Sequence, residues 1–254
     1  MPDWDGEQYA RTSDLQREAA ARAIAGLTLR PHDHLLDVGC GDGYVTRRLA
    51  AQLPAGRAVG VDASPRMIAQ ATSGGDDVEF VLADVHDMPF RAEFDVVVSF
   101  NALHWVPEQR RALGSIAAAA RPGARVLLQM VCAGTRRSLE TVAMEVAGTP
   151  RWADRFDGFA PPFVHVDADD YPDMAADAGL RVTDLSVHEL AWDFGNRDAF
   201  AQWCSNGADA WTARLDPEDR SRFLADWVRA YEEVSGRAGL FLFTQMRAAM
   251  ELHR

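Results

Sequence analysis

The 254-residue chain contains no lysine, since all 26 of its basic residues are arginine. That absence excludes Schiff-base chemistry and any lysine acting as base or nucleophile. Cysteine is scarce. Cys40, Cys132 and Cys204 lie far apart with no CxxC pair and no Cys/His ligand spacing, so neither a disulfide framework nor a structural zinc site is expected. No run approaches the roughly 18 uninterrupted apolar residues of a membrane span. The first residues, MPDWDGEQYARTSD, lack the basic start and apolar middle of a signal peptide, which predicts a cytoplasmic protein. Positive charge is also in deficit. With 38 acidic residues and a net charge of −12, the chain has no basic footprint for nucleic acid, and neither nucleic acid nor membrane is expected as a partner.

What is present is an alternation of short β-type runs with helical ones. Residues 14–27 carry Leu15, Ala19, Ala23, Ile24 and Leu27 at helical spacing. After Pro31 come HLLDVG at 34–39, a helix over about 44–52, AVGVD at 58–62, and a helix with Ser64 as N-cap and Pro65 in its first turn. VEFVLAD at 78–84 and FDVVVSF at 94–100 read as strands, followed by a helix from Pro107 to about Ala120 and a strand RVLLQMV from 125. This order predicts a Rossmann-like α/β fold, a mostly parallel seven-stranded sheet with helices on both faces. The second half predicts irregular helix at 135–160, a helix near 169–178, a strand at 181–192, helix over 197–235, and a last apolar run closing the sheet as its edge strand. One domain spanning 1–254 is expected, with a core at 30–134 and helical cap elements at 1–29, 135–165 and 196–236.

The most informative segment is Asp37-Val38-Gly39-Cys40-Gly41-Asp42-Gly43, set between a strand and a helix. Glycines let the chain turn sharply and let a ligand approach the backbone. The spacing is not the dinucleotide G-x-G-x-x-G pattern, because position 44 is Tyr. Asp62 ends the next strand, where an acid can accept both hydroxyls of a ribose, and Asp84 ends the one after, where an acid can accept from the amine of a base.

LLDVGCGDG, VGVDAS, the Asp84 segment and FDVVVSFNALHW together resemble the successive motifs of class I S-adenosylmethionine-dependent methyltransferases, over about residues 30–131. The resemblance implies S-adenosylmethionine as cofactor. It places Gly39, Gly41 and Gly43 against the methionine part and Asp37 behind the loop, oriented toward the cofactor's amino end. It gives Asp62, with Ala63, to the ribose, and Asp84, with Val85, to the adenine. Asn101 and Tyr9 complete the implied cofactor set, and Met67 packs either near the adenine or in the core.

Methyl transfer from a sulfonium is an in-line displacement, so the enzyme must mainly align groups and exclude water, and needs a base only for a protonated nucleophile. His104 and Trp105 follow the fourth strand. His104 is either a base in the useful pH range or a loop histidine bonded to backbone. Trp105 is either a donor-only N–H on an apolar platform or a core residue. Tyr9, Gln16 and the His104-Trp105 pair resemble small-molecule carboxyl methyltransferases of the juvenile hormone acid and trans-aconitate types, which implies that Gln16 and Trp105 hold a substrate carboxylate. The aromatics Trp152, Phe156, Phe159, Phe163, Trp192, Trp203, Trp211, Trp227 and Tyr231 suit an apolar pocket. The expected substrate is therefore a small, largely apolar metabolite, methylated on a carboxylate oxygen. The alternative is O-, N- or C-methylation of a natural-product scaffold with His104 as base. The acids at 167, 169, 170, 173 and 177 read as a solvated helix face and its N-cap, and no metal is assigned. The sequence leaves the oligomeric state open.

Overall fold

The computed structural model describes residues 14–75 and 77–253, the side chains at positions 14, 16 and 206 excepted. Helix α1 (Asp14–Ala25) precedes five strands, β1 (His34–Val38), β2 (Arg57–Asp62), β3 (Glu79–Leu82), β4 (Phe94–Phe100) and β5 (Ala120–Val131). Helices α2 (Tyr44–Ala50), α3 (Pro65–Ser73) and α4 (Gln109–Ala119) lie between them. β1 pairs in parallel with β2 and β4, β2 with β3, and β4 with β5, as βαβ units require. Ser64 caps α3 as its sequence predicts, its Oγ accepting from the Met67 N–H at 3.2 Å.

The remaining elements are α5 (Leu139–Ala147), α6 (Tyr171–Asp177), β6 (Leu180–Asp193), α7 (Arg197–Gly207), α8 (Asp209–Thr212), α9 (Pro217–Ser235) and β7 (Leu240–Leu252). The sheet runs β3-β2-β1-β4-β5-β7-β6, with β7 antiparallel to both of its neighbours. The final strand is thus interior, not the edge strand expected from sequence. The physical reason is polarity. β7 is apolar along most of its length and mostly buried, whereas β6 carries Arg181, Asp184, His188 and Glu189 and is largely exposed, so β6 takes the edge. The long helical stretch of the second half is broken into α7, α8 and α9, with α9 starting at Pro217 and capped by Asp216, whose Oδ1 accepts from the Asp219 N–H at 2.9 Å.

The buried apolar residues form three clusters, one of them around Leu35, Leu49, Val96 and Leu127. A second fills the sheet's inner layers with Leu36, Val59, Val97, Leu113, Ile116 and Leu128. The third is aromatic: Trp152, Phe200, Trp211, Phe223 and Tyr231 pack with Leu15, Leu139 and Phe241. The acids at 167, 169, 170, 173 and 177 are exposed as expected, and Asp170 occupies the N-cap position of α6 without a side-chain cap bond. No helix among the described residues is long and apolar enough to cross a membrane.

Candidate active site

The glycine loop joins β1 to α2. Gly39, Gly41 and Gly43 adopt φ of 75°, 55° and 77°, a region that side-chain-bearing residues seldom enter. At two of them packing also forbids a Cβ. One built on Gly39 would lie 2.2 Å from the Ala102 Cβ, and one on Gly43 would lie 2.5 Å from the Phe80 ring. The loop is pinned to β2, since Gly39 and Cys40 both donate to the Val61 carbonyl, at 2.8 and 2.9 Å. Asp62 completes the brace: its Oδ2 accepts from the Gly41 N–H at 3.0 Å and its Oδ1 from the Ser64 N–H at 2.9 Å. This carboxylate is buried at the mouth of the cleft. Ala63, the next residue, borders a small adjoining hollow with Val85 and Leu103.

Asp37 lies beneath the loop, fully enclosed. Burial pushes its carboxyl up to about 7, against the Thr46 hydroxyl that donates to it at 2.7 Å, and the nearby Asp62 charge adds to the rise. Asp84 stands apart, half exposed at the end of β3. Burial of part of the group opposes its ionisation, but the His86 N–H at 2.9 Å and the His86 ring hold its carboxyl below the usual range. Val85, beside it, is buried and faces the hollow that Asp62 also lines.

After β4 the chain turns at Asn101, a non-glycine residue with φ of 56°. Its N–H donates to the Gln129 carbonyl at 2.7 Å, and its Oδ1 accepts from Gln245 Nε2 at 2.9 Å. The turn of helix at Leu103–Trp105 then presents His104 and Trp105, with ring centroids 5.1 Å apart. His104 is buried, and its Nδ1 has no hydrogen-bond partner. Burial, reinforced by the neighbouring His165, pushes its imidazole down to about 3. Its backbone carbonyl accepts from Val164, so the loop-histidine reading holds for the main chain only, not for the ring.

A cavity of about 140 Å³ connects these parts. Gly39, Gly41, Asp62 and Met67 line one side, Asn101, His104 and Trp105 the middle, and the helical layer the other. The structure therefore brings together the glycine loop, Asp62 and the His-Trp loop, while Asp84 is not among the residues lining the cavity. α1 borders it through Leu15 and Ala19. Gln16 lies between those two in the helix, but its side chain is outside the described residues, as is the whole of Tyr9. Of the expected aromatics, Trp203 and Trp227 face the cavity, while Trp152, Phe156, Trp211 and Tyr231 are core. Among the lining residues that escaped the sequence reading are Phe241, Phe243 and Gln245 on β7, and the buried Glu140 on α5. Nothing local marks them, because each reaches the site through a tertiary contact with no motif around it.

Residues 36–128 match the methyltransferase domain family. The chain is similar to trans-aconitate 2-methyltransferase of Streptomyces avermitilis, 29% identical over 249 residues covering 92% of this chain and 90% of that protein. It is likewise similar to the protein of that name from Escherichia coli, 26% identical over 92% and 90% of the two chains. Among solved structures, a putative methyltransferase of Bacillus halodurans has the same fold at a TM-score of 0.66, with 18% identity over 93% of this chain and all of that one. The putative methyltransferase of Haloferax volcanii, solved with its Trm112 activator, aligns at a TM-score of 0.64, with 21% identity over 98% and 94%.

Proposed function

We propose that this chain, a class I S-adenosylmethionine-dependent methyltransferase, methylates a carboxylate oxygen of a small, largely apolar metabolite. The observation that carries the acceptor assignment is the state of His104. An imidazole whose proton affinity is lowered to about 3 is a poor general base near neutral pH, and the chain has no lysine to replace it. A carboxylate is already ionised at pH 7 and requires no base. The trans-aconitate methyltransferases, similar over nine-tenths of the chain, support the same acceptor.

When bound, S-adenosylmethionine supplies an already activated methyl group. The residues present fit it. Asp62 would accept from the ribose hydroxyls, Ala63, Met67 and Val85 offer apolar surface to the base, and the backbone of Gly39 and Gly41 along the cavity wall would meet the methionine part. Asp37 would act through the loop that it supports. Asp84 would meet the adenine amine from the end of β3. Tyr9 and Asn101 would close the cofactor site, Asn101 from a backbone held by Gln129.

On the acceptor side, Trp105 would donate its indole N–H to the carboxylate, with Gln16 as the second donor from α1. Two neutral donors orient the anion without the over-stabilisation of its ground state that a cationic clamp brings. The residue segments 1–29, 135–165 and 196–236 would act as the cap, their aromatic core excluding water from the reaction. The test is the product formed from methyl-labelled cofactor and a panel of small carboxylic acids. A base-labile methyl ester is expected; an alkali-stable ether or N-methyl product overturns the acceptor assignment.

A further inference from the structure

The charge inside the cavity is of one sign. Among the described residues lining it, the charged ones are Asp62 and Glu140, and no described arginine is there. Arg136 and Arg137, just before α5, border a separate hollow and face Glu189 at 3.7 Å and Glu145 at 2.9 Å. Asp62 is committed to the glycine loop and the cofactor side. Glu140 is the acid that a substrate would meet.

Glu140 is nine-tenths buried at the start of α5, where the helix N-terminus favours a negative charge. Its one ion-pair contact among the described residues is His165, with Nε2 at 3.6 Å, too far for a hydrogen bond, and among those residues that Nε2 has no hydrogen-bond partner; the buried Cys204 thiol and Tyr231 phenol also feel its charge. His165 offers little positive charge, since burial pulls its ring below the usual histidine range more than Glu140 lifts it. Around the carboxylate the cavity is apolar and aromatic, with Trp203, Trp227, Phe241 and Phe243. A buried carboxylate with unmet acceptor capacity is costly on its own and is relieved by an incoming donor. It also repels a second anion in a low-dielectric pocket.

We propose that Glu140 is a specificity-determining residue: it accepts a hydrogen bond from a hydroxyl or ammonium group carried by the acceptor away from its methylated carboxylate, and it excludes polycarboxylates. The inference rests on the carboxylate reading above and departs from the relatives, because trans-aconitate is a tricarboxylate with no donor group to offer.

The test uses straight-chain acids from octanoate to dodecanoate, their ω-hydroxy and ω-amino derivatives, the matching dicarboxylates, and trans-aconitate. Each is titrated calorimetrically into the full-length protein saturated with S-adenosylhomocysteine, and separately assayed for ester formation. The ω-hydroxy or ω-amino acids should bind at least about tenfold more tightly than the plain acids, a ratio typical of a site built around a hydrogen bond, with dicarboxylates and trans-aconitate weakest. Glu140→Gln should abolish the ω-amino advantage and Glu140→Leu the ω-hydroxy advantage, while both keep wild-type affinity for S-adenosylhomocysteine, which verifies the fold. Equal or tighter binding of trans-aconitate, no preference for donor-bearing acids (including no binding by any), or an equal loss for every probe in the variants overturns the proposal. Binding with the stated preference but no ester formed would remove the carboxylate reading and leave Glu140's role standing. Esters formed without preference would do the reverse.

Discussion

Gln245, on the last strand, donates from Nε2 to Asn101 Oδ1 at 2.9 Å across 144 positions of sequence. The bond holds the side chain of a residue whose backbone sits in the left-handed region, at the point where β4 hands over to the His104-Trp105 turn. The bond depends on the interior place of β7 beside β5: from the edge position that β6 holds, Gln245 could not reach the motif loop. Gln245→Leu should therefore raise KM for S-adenosylmethionine and lower thermal stability by about 1–2 kcal/mol, the usual cost of one buried hydrogen bond with its partner left unpaired. Steady-state kinetics with a denaturation curve reads both; unchanged KM would show that the loop keeps its shape without this brace.

Asp62→Asn should weaken S-adenosylhomocysteine binding by about 1–3 kcal/mol, because the amide replaces an acceptor with a donor where backbone N–H groups and ligand hydroxyls converge. Isothermal calorimetry decides this directly, and wild-type affinity in the variant would remove Asp62 from the cofactor site.

Gly39→Ala should destabilise the fold by at least about 2 kcal/mol, combining overpacking with a left-handed backbone. The clash is specific, since the new Cβ meets that of Ala102. Adding Ala102→Gly should restore part of the loss, the backbone share remaining. A double-mutant cycle by urea denaturation checks it, and strict additivity of the two changes would refute the contact.

For Asp37 the sign is set by a folded-state value of about 7 against an ordinary 3.8. A raised value means the folded state holds the proton. The resulting stabilisation is complete below about pH 4 and fades as pH rises through 7. Asp37→Asn mimics the protonated form and should gain on the wild type between pH 5 and 8, by at most about 4 kcal/mol at the upper end. Urea midpoints at several pH values measure it; a constant difference between the two proteins would show that Asp37 does not titrate in that window.

His104→Ala should retain activity within about tenfold, and the wild-type rate should stay flat from about pH 6 to 8, because a ring held near 3 does not change charge there. Loss of turnover with S-adenosylhomocysteine binding intact would give His104 the base role and favour the scaffold-methylation alternative.

The sequence by itself determined the first half of this protein. Strand-helix alternation, the glycines at 39, 41 and 43 and the acids closing β2 and β3 are local signals, because backbone conformation and strand-end position are set by neighbours a few residues away. Ser64 and Pro65 marked the start of α3 for the same reason. Tertiary structure decided the rest. Whether β6 or β7 lies inside the sheet depends on which buries more apolar surface once both are present, and neither strand records that alone. His104 looks like a base in its motif and becomes a neutral ring only once the fold buries it beside His165. Glu140 reads as an ordinary first-turn acid until α5 folds onto the cavity beside Trp203 and Phe243, where burial, with no arginine among the described lining residues, turns it into the group an acceptor must satisfy.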